Sequence, residues 1–355
     1  MTRTLKAILL FAVPLLLISC APPKELPDLV WPAKPNPPRI KFVRSFHGKS
    51  DLTGSSAIAG ALIGANTSIN MRKPNGISVD KDGRVFVTDT GRGDVFIFDL
   101  PNNKFSSLSA LGTKIFHKPI GVTIDDKGRT FVSDTRTDQV AVLDTKGRLM
   151  RYLTPETPFK QPTGMAVDSA NNRFYVVDTH LHNVQVFDLE TLKYLQTIGY
   201  RGREEGSFNF PSNITVDKKG NIYVVDTMNA RVEVFDVKGR FLYGYGKFGD
   251  LPGEFARPKG VAIDSEGHVY VVDAAFNNVQ IFDEEGAILM AFGGYGNDRG
   301  HMILPTGIAV DKDDYIYVVD SWNERVNVYE FLGEKHKARE AAAGTGEGEK
   351  AKGKK

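Results

Sequence analysis

The stretch Pro211-Ser-Asn-Ile-Thr-Val-Asp217-Lys-Lys-Gly-Asn-Ile-Tyr-Val-Val-Asp226-Thr-Met-Asn-Ala-Arg231-Val-Glu-Val-Phe-Asp236-Val-Lys-Gly239-Arg-Phe-Leu-Tyr-Gly-Tyr245 reads as four short strands in a row. The runs at Ile214, Ile222, Arg231 and Arg240 are rich in Val, Ile, Tyr and Phe, and Gly, Asn and Asp separate them. Nothing in them has helical spacing. Four strands in a unit of this length describe one blade of a β-propeller.

The unit recurs. Pro74-Asn-Gly76, Pro119-Ile-Gly121, Pro162-Thr-Gly164, Pro211-Ser-Asn213, Pro258-Lys-Gly260 and Pro305-Thr-Gly307 open six units at intervals of 45, 43, 49, 47 and 47 residues. The central residue of each first strand is small: Ser78, Thr123, Ala166, Thr215, Ala262 and Ala309. Its neighbours are Ile or Val, with Met165 the exception. Side chains alternate across a strand, so one face is small and the other bulky, as packing near a shared axis requires. The sixth unit has no fourth strand after Arg325-Val-Asn-Val-Tyr-Glu330, but Arg39-Ile-Lys-Phe-Val-Arg-Ser-Phe46 supplies a spare one. The fold expected is all-β, a six-bladed propeller over residues 39–332, closed by the N-terminal strand pairing outside the last blade and covering its edge.

The openings Pro-x-Gly-Val/Ile-Ala-Val-Asp and the ends Val-Tyr-Val-Val-Asp-Thr-x-Asn resemble NHL repeats, as do the linkers Gly199–Phe208 and Gly246–Phe255. Connections in the first two units are shorter and lack the Gly-x-x-Gly pattern.

The N-terminus has a different character. Arg3 and Lys6 precede an apolar run from Ala7 to Ile18, too short for the ~20 residues a membrane span needs. The outline is a secretory signal over residues 1–19. Its end, Leu17-Ile18-Ser19-Cys20, resembles the lipobox of bacterial lipoproteins. That resemblance implies cleavage before Cys20 and acylation of its thiol, hence an exported protein held to the membrane by lipid. Ala21 in place of Asp implies the outer membrane, with the domain facing the periplasm or the surface. Seven prolines between Pro22 and Pro38 make residues 20–38 a semi-rigid tether. Gly333 to Lys355 carries little apolar bulk and is expected to be a disordered, charged tail. Gly48 to Met71 is an insert outside the repeat, read as a short helix or loop over one end of the ring.

Cys20 is the single cysteine, which excludes internal disulfides, thiolate zinc clusters and Cys-x-x-Cys-His haem attachment. Loss of Arg3 and Lys6 with the signal leaves 43 basic and 43 acidic residues, so no global charge favours nucleic acid.

Function is sought where the repeats differ. Loops joining second to third strands and blade to blade share one face. They carry Arg92, Arg136, His180, Met228, Phe276 and Trp322, with Lys73, Lys118 and Arg257 before the opening prolines. Aromatic and arginine side chains are favoured anchors, so these nine residues are read as a ligand- or partner-binding face. Asp80, Asp125, Asp168, Asp217, Asp264 and Asp311 on the other face, and Asp89, Asp134, Asp178, Asp226, Asp273 and Asp320, recur in every unit and are read as turn-forming. His180 and His182 lack a third ligand, so no metal and no cofactor is expected.

Three classes follow from the resemblance. One is a non-catalytic binding scaffold in the cell envelope, with a protein, glycan or small ligand as partner. Another is a metal-dependent lyase or hydrolase, since related six-bladed folds include gluconolactonase-like hydrolases and peptidylamidoglycolate lyases. The third, RNA binding as in cytoplasmic NHL proteins, conflicts with export and zero net charge. The first is favoured, because the axial strands offer Ser, Thr, Ala and aliphatics in place of metal ligands. The sequence names neither partner nor oligomeric state.

Overall fold

Alternating β-branched and aromatic residues, cut by Asp-x-x-Gly turns, fold each repeat as an antiparallel meander. The computed structural model describes residues 27–53 and 69–352. Six sheets surround one axis, and in each the strand that follows Pro-x-Gly (Asn213 in blade four) lies innermost. In the fourth blade the order from the axis outward is Pro211–Val216, Ile222–Asp226, Arg231–Phe235 and Phe241–Tyr245. The signal sequence, Cys20 and the apolar part of the insert from Ser55 to Ala65 lie outside the described residues.

The ring closes as the sequence implies. Ile40–Phe46 pairs antiparallel with Arg325–Phe331, with Ile40 opposite Phe331 and Phe46 opposite Val326. Two features differ from expectation. A bulge between Phe42 and Arg44 breaks the alternation, so Phe42 packs towards blade five and Phe46 towards blade one. Outside this strand, Val30–Trp31 adds a fifth strand to blade six. Trp31 meets Phe292 and Tyr329 at ring-centroid distances of 6.0 and 5.8 Å. The described part of the Pro-rich segment is therefore docked on the ring, not a free tether: one bulky indole gains a groove between two blades.

The core is six slabs, one between each pair of blades. Small residues of one innermost strand receive bulky residues of the next, as Ala309 does Ile77 and Val79. The glycine of Pro-x-Gly marks the closest approach. A Cβ on Gly121 would lie 2.2 Å from the Thr163 carbonyl oxygen, and one on Gly164 would lie 2.5 Å from Asn213 Cα. Hydroxyls bridge the same seams: Ser133 Oγ donates to Thr163 O at 2.7 Å and Thr179 Oγ1 to Pro211 O at 2.7 Å.

Polar residues in mid third strand hold the blade linkers. Gln280 accepts from Gly253 N at 2.9 Å and donates to Glu254 O at 2.8 Å. Glu233 takes the same place in blade four, accepting from Gly206 N at 3.2 Å and pairing with Arg231 at 3.1 Å. Its Oε2 meets no donor among the described residues, and burial pushes the carboxyl up to about 7. With the folded pKa above the unfolded one, this group's stability is present below about pH 4 and is lost as pH rises through 7. Glu233→Gln is thus expected to gain about 1–3 kcal/mol at pH 8 and little at pH 5, read as denaturation midpoints at both pH values. A difference equal at both would contradict the raised carboxyl.

The C-terminal segment departs from the expected disorder: Glu334–Lys352 is helical. Ala, Glu, Lys and Arg are strong helix formers, a signal that apolar content alone does not carry. The first turns are also fastened, since His336 and Arg339 meet Glu330 at 2.8 and 2.7 Å and Arg339 donates to Asp313 O at 2.8 Å.

Candidate functional site: the loop face and the mouth of the axial cavity

The loops between second and third strands are built on buried aspartates. Asp178 accepts from Lys160 N at 2.7 Å, Gln161 N at 3.1 Å and Leu181 N at 3.1 Å, tying the loop to the linker that opens its own blade. Asp89, Asp134 and Asp273 do the same in their blades. On the opposite face Asp80 accepts from Asp82 N and Arg84 N at 3.0 and 2.9 Å, and Asp217 binds Lys219 N and Asn221 N at 2.8 Å each. Both sets are turn formers, as read from their recurrence.

The nine proposed contact residues are spread around the loop face, one or two to a blade, and form a ring rather than a cluster. Arg136, His180, Lys73, Lys118 and Arg257 are exposed, and Phe276 is half-buried. Trp322 and Met228 are 68% and 64% exposed. Arg92 acts locally, since its Nε donates to Asn70 O at 2.6 Å and so holds the returning end of the insert, whose two ends meet at Gly48 and Asn70. His182 is buried; its Nδ1 accepts from Phe210 N at 3.1 Å, and burial, with Arg201 and His180, lowers its pKa. It therefore serves as a neutral acceptor.

The blade linkers add residues that the sequence pattern had not singled out. Among the described residues, every large apolar side chain at least 60% exposed lies in a loop of this face: Tyr200, Met228, Phe248, Leu251, Tyr295 and Trp322. Linkers are held in shape by short parallel bridges, such as Phe248 with Phe255 and Tyr295 with Met302, in which Phe255 and Met302 are buried while Phe248 and Tyr295 stay outside.

The axis holds a cavity of about 760 Å³, and of the nine residues only Met228 lines it. Its loop-face mouth is formed by the middle residues of the Pro-x-Gly openings and their blade-four counterpart: Asn75, Ile120, Thr163, Ser212, Lys259 and Thr306. Gln161 and Phe210, each preceding an opening proline, complete it. Lys259 and Asp126 are the charged side chains lining the cavity among the described residues, and chain direction puts them at opposite ends. No three His, Cys, Asp or Glu side chains among the described residues are placed to hold a metal ion. Sequence variation did mark this mouth, because Lys259 stands where other units have Asn, Ile, Thr or Ser.

Comparison with known proteins fits this architecture. A family model described as a six-bladed β-propeller matches residues 203–275, and the NHL repeat model matches residues 71–98 and 159–187. A probable peptidyl-alpha-hydroxyglycine alpha-amidating lyase of Caenorhabditis elegans is 32% identical over 88 residues, 24% of this chain and 25% of that protein. The chain thus spans only a quarter of that relative's length. An auxiliary nutrient binding protein of Bacteroides thetaiotaomicron superposes with a TM-score of 0.59 at 13% identity, over 74% of this chain and 70% of that one. A streptogramin B lyase superposes with a TM-score of 0.57 at 14% identity, over 75% and 96%. The two superpositions speak for the fold alone. The chain is an all-β, six-bladed β-propeller that carries NHL repeats.

Proposed function

We propose that this propeller is a lipid-anchored, non-catalytic binding scaffold of the bacterial cell envelope, exported and held by acylated Cys20, whose loop face engages a protein partner. The observation that carries this reading is the gathering of the most exposed apolar side chains on that one face. Scattered apolar residues need no explanation, but exposed aromatics confined to one rim are what an interface supplies.

The anchor fits the same geometry. The closing strand runs towards the loop face, since Phe46 pairs next to Arg325 at the start of the last strand. Val30–Trp31 is antiparallel to it, so the chain before Val30 heads back to the loop face, where Pro27 O accepts from Arg299 at 3.5 Å. Six residues separate Cys20 from Pro27, seven steps that span at most about 25 Å at full extension. The partner is therefore sought close to the membrane, on the outer-membrane side that the residue after Cys20 favours.

The competing reading, a metal-dependent lyase or hydrolase, draws on the partial similarity to the worm lyase. It requires a set of metal ligands that the described residues do not bring together. Metal analysis of the purified protein separates the two, because a stoichiometric divalent ion would favour the enzyme. For the scaffold, replacing Arg136, His180 and Trp322 together with alanine is expected to abolish co-purification of a membrane partner. All three are exposed loop residues, so stability should move by less than about 0.5 kcal/mol each. Undiminished capture by a folded triple variant would count against the face.

A further inference from the structure

We propose that the loop-face mouth of the axial cavity is a binding site for a small organic carboxylate, whose anionic group is held by the Lys259 ammonium and whose apolar part lies against Phe210 and Met228. This site shares only Met228 with the nine rim residues, and it does not rest on the partner-binding reading.

Lys259 carries the inference. Its side chain lines the cavity, yet its ammonium has no carboxylate or hydrogen-bond partner among the described residues, while other lysines of the protein such as Lys127, Lys219 and Lys335 are paired. Burial lowers its pKa and the nearby Arg257 adds to that effect, while Asp273, whose carboxylate is engaged by the Ala256, Arg257, Ala275 and Phe276 amides, opposes it. A partly desolvated cation without a direct ion pair is costly, and such a group at a cavity mouth is suited to an anionic ligand. The other blades place uncharged residues at this position, so propeller packing does not ask for a lysine.

The surroundings choose the ligand class. Among the neighbouring mouth positions the Ser212, Thr306 and Thr163 hydroxyls already donate to Lys259 O, Asn75 O and Thr179 Oγ1, which leaves the Asn75 side-chain amide as a further donor, and no second cation lines the cavity among the described residues. One ammonium with one side-chain amide matches a single-charge carboxylate better than a phosphate, which calls for more donors. Gln161, at the opening of blade three, borders the cavity next to Phe210's blade. Phe210 holds a left-handed backbone with φ 53°, and it is fixed by the hydrogen bond its backbone N–H donates to His182 Nδ1 and by ring contact with that imidazole at 4.5 Å. Leu304, at the matching position before Pro305, has the same left-handed backbone with φ 50°, so the conformation belongs to the repeat and what is particular to Phe210 is its ring at the mouth. The cavity, at about 760 Å³, is within the range of small-molecule pockets.

The test uses the full-length protein in detergent and titrates N-acetylphenylalanine, which unites a carboxylate and an aromatic ring. Its uncharged C-terminal amide and inorganic phosphate are the comparison probes. Saturable binding of the acid is expected, weakened about tenfold or more both by Lys259→Met and by use of the amide, with phosphate binding more weakly than the acid. Lys259→Met should melt no lower than the unmodified protein, since it removes an unpaired ammonium. The double variant Arg136→Ala with Trp322→Ala, both outside the cavity lining, should bind the acid unchanged, which separates this site from the partner reading. Equal affinity for acid and amide, equal affinity in folded Lys259→Met, tighter binding of phosphate, or no saturation by the acid at millimolar concentration would each overturn the proposal.

Discussion

Replacing Phe46 with alanine is expected to destabilise the whole ring by about 3–5 kcal/mol, the largest effect of any single side chain on the closing strand. Phe46 is fully buried and meets Phe98 of blade one at 4.6 Å between ring centroids. It sits in the slab that joins the last blade to the first, together with Val326, Val328, Val85 and Val87. The cavity left by the change would open the one seam that the chain closes non-locally. Loss should therefore show as a lower cooperative midpoint for the entire propeller in denaturant, not as fraying of one blade. A small shift of under about 1 kcal/mol would mean that the N-terminal strand is an accessory to a ring already stable without it.

The second large effect is expected at Arg325, whose guanidinium pairs with buried Asp320 at 2.8 Å. It also donates to the carbonyl oxygens of Asn297, Asp298 and His301 at 2.9, 3.0 and 2.8 Å. One side chain thus holds the linker that contacts Pro27 and Trp31 and that displays Tyr295. Arg325→Met removes the cation and leaves the Asp320 carboxylate without it, a change that costs about 3–5 kcal/mol for buried pairs. Hydrogen exchange should rise first in residues 294–304, and partner capture should fall along with stability. Arg231 makes the equivalent contacts in blade four with Asp226 and the carbonyls of Glu204 and Ser207. The same substitution there should loosen the linker that carries Tyr200 but leave the anchor segment docked. Equal loosening of both linkers by either variant would contradict this local division.

The fold was legible because it is written six times. Recurrence of Pro-x-Gly, of small residues in the first strand and of aspartate at the turns marks positions that serve packing, and the structure gives them that role. The spare strand at Ile40–Phe46 was legible for a simple physical reason: a sheet edge at Arg325–Phe331 needed cover. Its bulge was not, because period-two alternation puts Phe42 and Phe46 on one face, and only the register with Tyr329 and Val328 sends them to opposite slabs. Trp31 was hidden by its prolines, which suggest an extended free segment although an extended chain is also what pairs with an edge.

The candidate site divides in the same way. Exposed Trp322 and Met228 could be found by asking where repeats disagree in their loops. Lys259 answers to the same question asked of the Pro-x-Gly openings, where the glycine recurs for backbone clearance and the residue before it is free to vary. Phe248 and Tyr295 lie in linkers whose local shape, fixed by parallel bridges, decides which side chain is inward. Neighbouring Phe255 is buried and Phe248 is 79% exposed, a contrast that composition cannot express.

Site-specific photocrosslinking in native membranes tests the central claim, that the loop face is the contact surface. A photoreactive phenylalanine would be placed at Trp322 and Phe248 on that face, and at Lys146 and Lys238 in exposed turns of the opposite face. One discrete protein adduct from the first pair and none from the second is the result expected. Adducts from Lys146 or Lys238 alone, or no protein adduct from Trp322 and Phe248, would contradict it.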